Sequence, residues 1–280
     1  MTVFCHIAHR FPSVVATMLE QEKNLVQGRF RETTFTDLLA ASLIMLDRPE
    51  LQIDYPREPS TGGDLDLVYW DRRTGERLTV RIQAKRLSPA TEGGRPIRWE
   101  IRRYNHLDHV VPGTGQYQYW TLTSPRPSVV PLYAFYNHQA VVEDPQVRKL
   151  KPVVDGANLA FATDIGIELA PHLRVGSTAH APSYAKRLKR LQPYFFPLTR
   201  LLCAPHRGVP RPRDIERNLH RTFESLIVPA GVRDRQHLQF ALQASPQAPA
   251  SYVEGGPSFR ISEGVERPTI LFISGDDRGD

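Results

Sequence analysis

Cysteine is nearly missing from this chain: its 280 residues hold two, Cys5 and Cys203, far apart in sequence. That scarcity argues against a disulfide-stapled secreted scaffold and against a cysteine-based zinc site, and it suits a reducing cytoplasm. No apolar run approaches the roughly 18 residues that a membrane-spanning helix needs. The opening MTVFCHIAHRFPSVVATMLEQEK has no basic segment followed by a clean apolar core, so no secretory signal is expected. A Gly-x-x-x-x-Gly-Lys phosphate loop is also missing, which excludes nucleotide hydrolysis by that route. No Ser, His and Asp arrangement and no internal repeat stands out.

Charge is what the chain does have. There are 36 Lys and Arg against 30 Asp and Glu, a formal net charge of +6. Such a balance suits a polyanionic partner without proving one.

Helical periodicity marks residues 11–27, with Phe11, Val14, Val15, Met18, Leu19 and Leu25 in one stripe, and 33–47, which stops ahead of Pro49. LQIDY reads as a short strand. DLDLVYW and RLTVRIQAK alternate apolar and polar residues around the turn DRRTGE, so they read as a hairpin. Residues 97–111 read as helix, 129–137 as strand, and 158–169 as either. SYAKRLKRLQPYFFPLTRLLC reads as mostly helix, interrupted at Pro193 and Pro197. The basic, proline-rich APHRGVPRPRD suggests a boundary near residue 206. That gives a domain over 1–205 and a C-terminal extension over 206–280 that contacts a partner or nucleic acid. RPTILFIS reads as a late strand.

The hairpin carries the chemistry. If its turn centres between Arg73 and Thr74, paired positions sum to 147. Asp64 then faces Gln83, and Asp66 faces Arg81. Asp64, Asp66, Gln83 and Lys85 share one face, while Leu65, Leu67, Tyr69, Ile82 and Ala84 share the other. Two carboxylates, an amide and an ammonium on one surface suit a hard divalent cation, Mg²⁺ or Mn²⁺, held by Asp64, Asp66, Gln83 and the Ala84 carbonyl. Lys85 could assist water attack on a phosphate. Glu32, at the start of the second helix, could supply one more carboxylate. The competing reading is a solvated amphipathic face with ordinary cross-strand charge pairs.

Arg86, Arg98, Arg102 and Arg103 follow the hairpin, with Trp99 and Tyr104 among them. They read either as a nucleic-acid surface or as a solvated helix face. His6 and His9, like His106 and His109, are spaced i, i+3. No third ligand lies near either pair in sequence, so zinc is not expected.

Glu32, then GGDLD (62–66), then QAK (83–85) resembles the PD-(D/E)XK nuclease superfamily, in the Gln-x-Lys form of Mrr-like restriction endonucleases. QAKRL followed by PLYAFYN is also similar to uncharacterised bacterial members, several linked with phage defence. The resemblance covers roughly residues 30–205. It implies an α/β restriction-endonuclease-like core, a mixed central sheet flanked by helices. It implies a Mg²⁺- or Mn²⁺-dependent endonuclease, DNA ahead of RNA as substrate, and an anti-phage defence or restriction role. The catalytic residues it implies are Asp64, Gln83, Lys85 and Glu32. Glycine adjacency favours Asp64 as the family aspartate, and Mrr-like spacing favours Asp66. The departure from the commonest pattern is Gln83, where most members carry Glu or Asp. The alternative is an inactive nucleic-acid-binding or assembly subunit of a defence complex. A homo-oligomer or a partner defence protein is compatible with either, and a membrane partner is not expected.

Overall fold

A computed structural model describes residues 2–25, 30–56, 65–89, 91–92, 95–111, 115–124, 126, 129–174, 180–205, 208–226, 243–244, 247–262 and 267–275. Two helices come first, α1 (Val3–Gln21) and α2 (Glu32–Ile44). The Thr2 side chain caps α1 by accepting from the Cys5 amide at 3.2 Å, so the helix begins well before residue 11. Three strands follow: β1 (Leu51–Pro56), β2 (Leu65–Asp71) and β3 (Glu76–Arg86).

The β2–β3 turn is built by Asp71 and Gly75. Asp71 Oδ1 accepts from the Arg73 and Thr74 amides at 2.9 and 3.1 Å. Gly75 takes a φ of 72°, a value that favours glycine. This turn fixes the register at Leu65 against Ile82 and Asp66 against Arg81, the pairing that the sequence count gives.

Further strands are β4 (Val129–Tyr136), β5 (Ala157–Phe161), β6 (Phe196–Pro197), β7 (Phe259–Ser262) and β8 (Thr269–Ser274). The sheet order is β6-β5-β4-β3-β2-β8-β1-β7, and residues 243–244 pair with the start of β3. β3–β4, β2–β8 and β1–β7 are parallel, and the remaining pairs are antiparallel. This is a mixed α/β sheet flanked by helices, as expected.

One face of the sheet packs Leu67, Val80, Ile82 and Ala84 against Phe11 and Val15 of α1, Phe35 and Leu39 of α2, and Leu219 and Phe223 of the late helix α5 (Pro212–Ser225). Each such buried Leu or Phe contributes about 1.5–3 kcal/mol. The other face meets α3 (Gln118–Thr123) and α4 (Ala162–Leu169). It holds two separate apolar clusters. One is built around Tyr133, Phe135 and Tyr104, and the other is Val68, Trp70, Leu271 and Ile273. Asp66, Thr79, Arg81 and Gln83 belong to neither. At Gly156 a Cβ would meet the Pro12 carbonyl oxygen at 1.8 Å, so only glycine lets α1 cross there.

Several expectations are corrected. The described elements within 206–280, α5, β7 and β8, join the same sheet and core as the hairpin. β8 lies between β2 and β1, buried along its whole length, because TILFIS is apolar on both faces, as an inner strand requires. The proline-rich connector merely leads into α5. Cys5 and Cys203 do pair. α1 packs beside the short helix Thr199–Leu202, and the two cysteines form a disulfide with Cα atoms 4.4 Å apart. Residues 97–111 are not one helix. Only Trp99–Ile101 forms a helical turn, and Tyr104 and Arg103 then bridge to Leu87 and Arg187. The 183–203 region breaks into short turns around β6. Residues 158–169 are strand and then helix, β5 and α4. Among the described residues, no helix is long and apolar enough to cross a membrane.

Candidate active site

The last residues of β3 alternate as a strand must. Ala84 points into the α1–α2 core, and Gln83 and Lys85 point to the opposite face. Both are almost fully enclosed, at 3% and 4% exposure. Burying an ammonium is costly unless polar partners replace its water. Lys85 Nζ donates to Gln118 Oε1 at 2.6 Å. Gln118 opens α3, and its own amide donates to the His109 carbonyl at 2.8 Å.

The turn 106–109 is fastened by Asp108. Its Oδ2 accepts from Lys186 Nζ and from the Ala181 amide, both at 2.8 Å. Burial pushes the Asp108 carboxyl up, but the bond from Lys186 and its charge outweigh this and hold it below the usual range. His109 is thereby brought near Lys85. Its pKa is lowered by desolvation and then by the charges of Lys85 and His106. His106 adopts a φ of 60°, a left-handed conformation in the same turn. Gln118 and His109 are therefore neighbours of the lysine that motif reasoning missed. Gln118 had no signal in sequence. The i, i+3 spacing of His106 and His109 is such a signal.

Asp66 does not join Gln83 as an open carboxylate. Arg81 holds it in a bidentate pair, Nε to Oδ1 at 2.9 Å and Nη2 to Oδ2 at 2.8 Å, and Arg267 Nε lies 3.9 Å from Oδ2. Asp66, expected as a metal ligand, thus has both carboxylate oxygens bonded to Arg81. Asp64 lies outside the described residues. Glu32 starts α2, which packs on the Ile82 and Ala84 face, opposite Gln83 and Lys85.

Beside Asp66 the sheet face opens into a cleft of about 690 Å³. Arg77, Arg81, Arg260 and Arg267 line it with Asp54 and Asp66. Arg260 is held by Asp54 at 2.8 and 2.6 Å. The formal sum of four guanidiniums and two carboxylates is +2, so the cleft favours an anion.

The arginines after the hairpin divide. Arg86 is enclosed, paired with Glu22 and donating to the Phe30 carbonyl at 2.8 Å. Glu22 also accepts from the Phe30 amide at 2.7 Å, so this pair closes the α1–α2 connection. Arg102 is 2% exposed and donates to the Ser88 carbonyl. Burial pushes its pKa down to about 10. Neither is placed to meet a phosphate backbone, which corrects the surface expected for them. Arg98 is exposed beside Glu100 at 2.6 Å, and Arg103 is exposed with Nη1 3.1 Å from Ser183 Oγ.

The chain matches DUF6615, a family of unknown function, over residues 4–279. It belongs to that family. The match runs through α5 and β8 as well as the hairpin, in line with one sheet built from both ends of the chain. No curated protein and no solved structure matches the chain.

Proposed function

We propose that this DUF6615 member is a metal-dependent phosphodiesterase that cuts DNA. The observation that carries the reading is the enclosed Lys85. It sits beside Gln83 at the end of β3, is oriented by Gln118, and lies on the same sheet face as an arginine-lined anionic-ligand cleft. A structural lysine is rarely placed in so little solvent, and buried lysines in polar clusters are favoured functional groups.

Among the described residues the donors do not complete a Mg²⁺ site, because Arg81 takes both oxygens of Asp66. The reading therefore rests its anionic donor on Asp64, which lies outside the described residues and which the sequence count alone sets against Gln83. Asp64 and the Gln83 amide oxygen would hold Mg²⁺ or Mn²⁺. When bound, the ion supplies Lewis acidity at the phosphate. Lys85 donates to a phosphoryl oxygen as charge develops there. Gln118 holds the ammonium in place, and the cleft arginines seat flanking phosphates. A setting in bacterial anti-phage defence or restriction rests on the resemblance of the motifs alone.

The test is metal-dependent cleavage of plasmid DNA by wild type, Asp64→Ala and Lys85→Ala. Cleavage lost in both variants supports the proposal, and equal cleavage by all three sinks it. A second reading, DNA binding without cleavage, is favoured by one observation, the neutralised Asp66. Its mark would be salt-dependent DNA affinity with no metal uptake by calorimetry.

A further inference from the structure

Cys5 and His9 of α1, the helix that covers the sheet face opposite Lys85, meet Cys203 beside it. One ligand atom from each lies within 4.8 Å of the other two. Cys5 and His9 are i, i+4 on the helix that Thr2 caps, so they share one face. Cys203 arrives from the end of the Thr199–Leu202 turn, its amide bonded to the Thr199 carbonyl at 3.0 Å. The cysteines are half-buried and His9 is exposed, so the cluster is reachable from solvent. Asp155 is close enough for the His9 charge to act on its carboxyl.

We propose that reduction of the Cys5–Cys203 disulfide converts this cluster into a binding site for a soft divalent ion, zinc above all. Cys5, Cys203 and His9 would be its protein ligands, with the fourth position open to solvent. Two thiolates and an imidazole are the donors that zinc prefers, and three protein ligands with one open position is a known zinc arrangement. At a tetrahedral zinc with Zn–S near 2.3 Å, two sulfurs sit about 3.8 Å apart. Bound metal and the disulfide therefore exclude each other.

The chemistry balances with a dithiol reductant. The reductant's two thiols become a disulfide, and Cys5 and Cys203 gain two electrons and two protons. Metal binding then expels both thiol protons to solvent, while neutral His9 coordinates through a ring nitrogen. A small-molecule disulfide such as oxidised glutathione reverses the first step by exchange. In either state α1 stays fastened to the segment ending at Cys203. The site does not depend on the nuclease reading, since it lies across the sheet from Lys85.

Cobalt(II) is the probe, titrated into the full chain after reduction by a phosphine, with the oxidised chain as control. Expected are one equivalent bound by the reduced chain, a thiolate-to-cobalt charge-transfer band and tetrahedral d–d bands, with no such bands for the oxidised chain. His9→Ala, exposed and remote from the core, should weaken binding on the order of tenfold or more and shift the d–d bands. Zinc should displace the cobalt. A reduced, folded chain without the charge-transfer band overturns the proposal. So does His9→Ala titrating like wild type, or unfolding on reduction that cobalt does not reverse. None of these three results bears on DNA cleavage.

Discussion

Lys85 Nζ and Gln118 Oε1 lie 2.6 Å apart, the end of β3 bonded to the first residue of α3. A buried ammonium with its direction fixed in this way can meet a phosphoryl oxygen without first reorganising. Gln118→Leu removes the acceptor and keeps the approximate volume. The expected outcome is a fall in kcat of about tenfold or more with KM little changed. Gln118→Glu, which keeps an oxygen acceptor, should retain Lys85 placement and show a shifted pH profile. Single-turnover cleavage over a pH series checks both. Unchanged rates in Gln118→Leu would remove Gln118 from any positioning role.

Asp66 and Arg81 should behave as a structural pair. Asp66→Asn leaves the Arg81 and Arg267 guanidiniums without their carboxylate and should cost about 1–3 kcal/mol of stability. Cleavage by the folded variant should fall less than tenfold, whereas Asp64→Ala abolishes it. Urea unfolding and plasmid cleavage on the same preparations separate the two effects. The opposite ranking would make Asp66 the metal-binding aspartate.

Removing residues 263–280 should unfold the protein rather than trim a tail. β8 fills the gap between β1 and β2, and Ile270, Leu271 and Phe272 are fully buried. Without them two inner strands become open edges. The expected result is loss of a cooperative thermal transition. A truncated chain that melts cooperatively near wild type would contradict this topology.

His138 makes stability depend on pH. Burial, with the Arg102 charge adding to it, pushes its pKa down to about 4, although Nε2 lies 3.3 Å from the Leu87 carbonyl. The unfolded imidazole titrates near 6.5, so between these values the unfolded chain takes up a proton that the folded chain refuses. Above about pH 6.5 neither state is protonated and the group contributes nothing. As pH falls from about 6.5 to 4 stability drops, by about 3 kcal/mol in total, and then levels off. His138→Gln should lack this slope. Urea midpoints across the range, compared between the two proteins, measure the difference. Identical slopes would show that His138 is not the titrating group.

Much of the hairpin was legible in sequence. Alternation set Ile82 and Ala84 against Gln83 and Lys85, and the DRRTGE turn set the register, because both are local properties of neighbouring residues. The strand character of TILFIS was equally plain, but its place was not. A continuous apolar run says that a strand is buried on both faces, not which strands flank it. The proline-rich stretch before α5 looked like a domain boundary because composition reports exposure of a connector and not where the chain returns.

The sequence by itself determined the two faces of β3 and the identity of its polar end, since strand period and turn chemistry act over a few residues; the α/β class was what the resemblance of its motifs implied. Only the tertiary structure decided what those polar groups meet. It gave Lys85 to Gln118, Arg86 to Glu22 and Cys5 to Cys203. Each of those partners comes from the folding of separate elements onto one sheet, and charge pairs and sulfur contacts depend on distances in space that spacing along the chain does not encode.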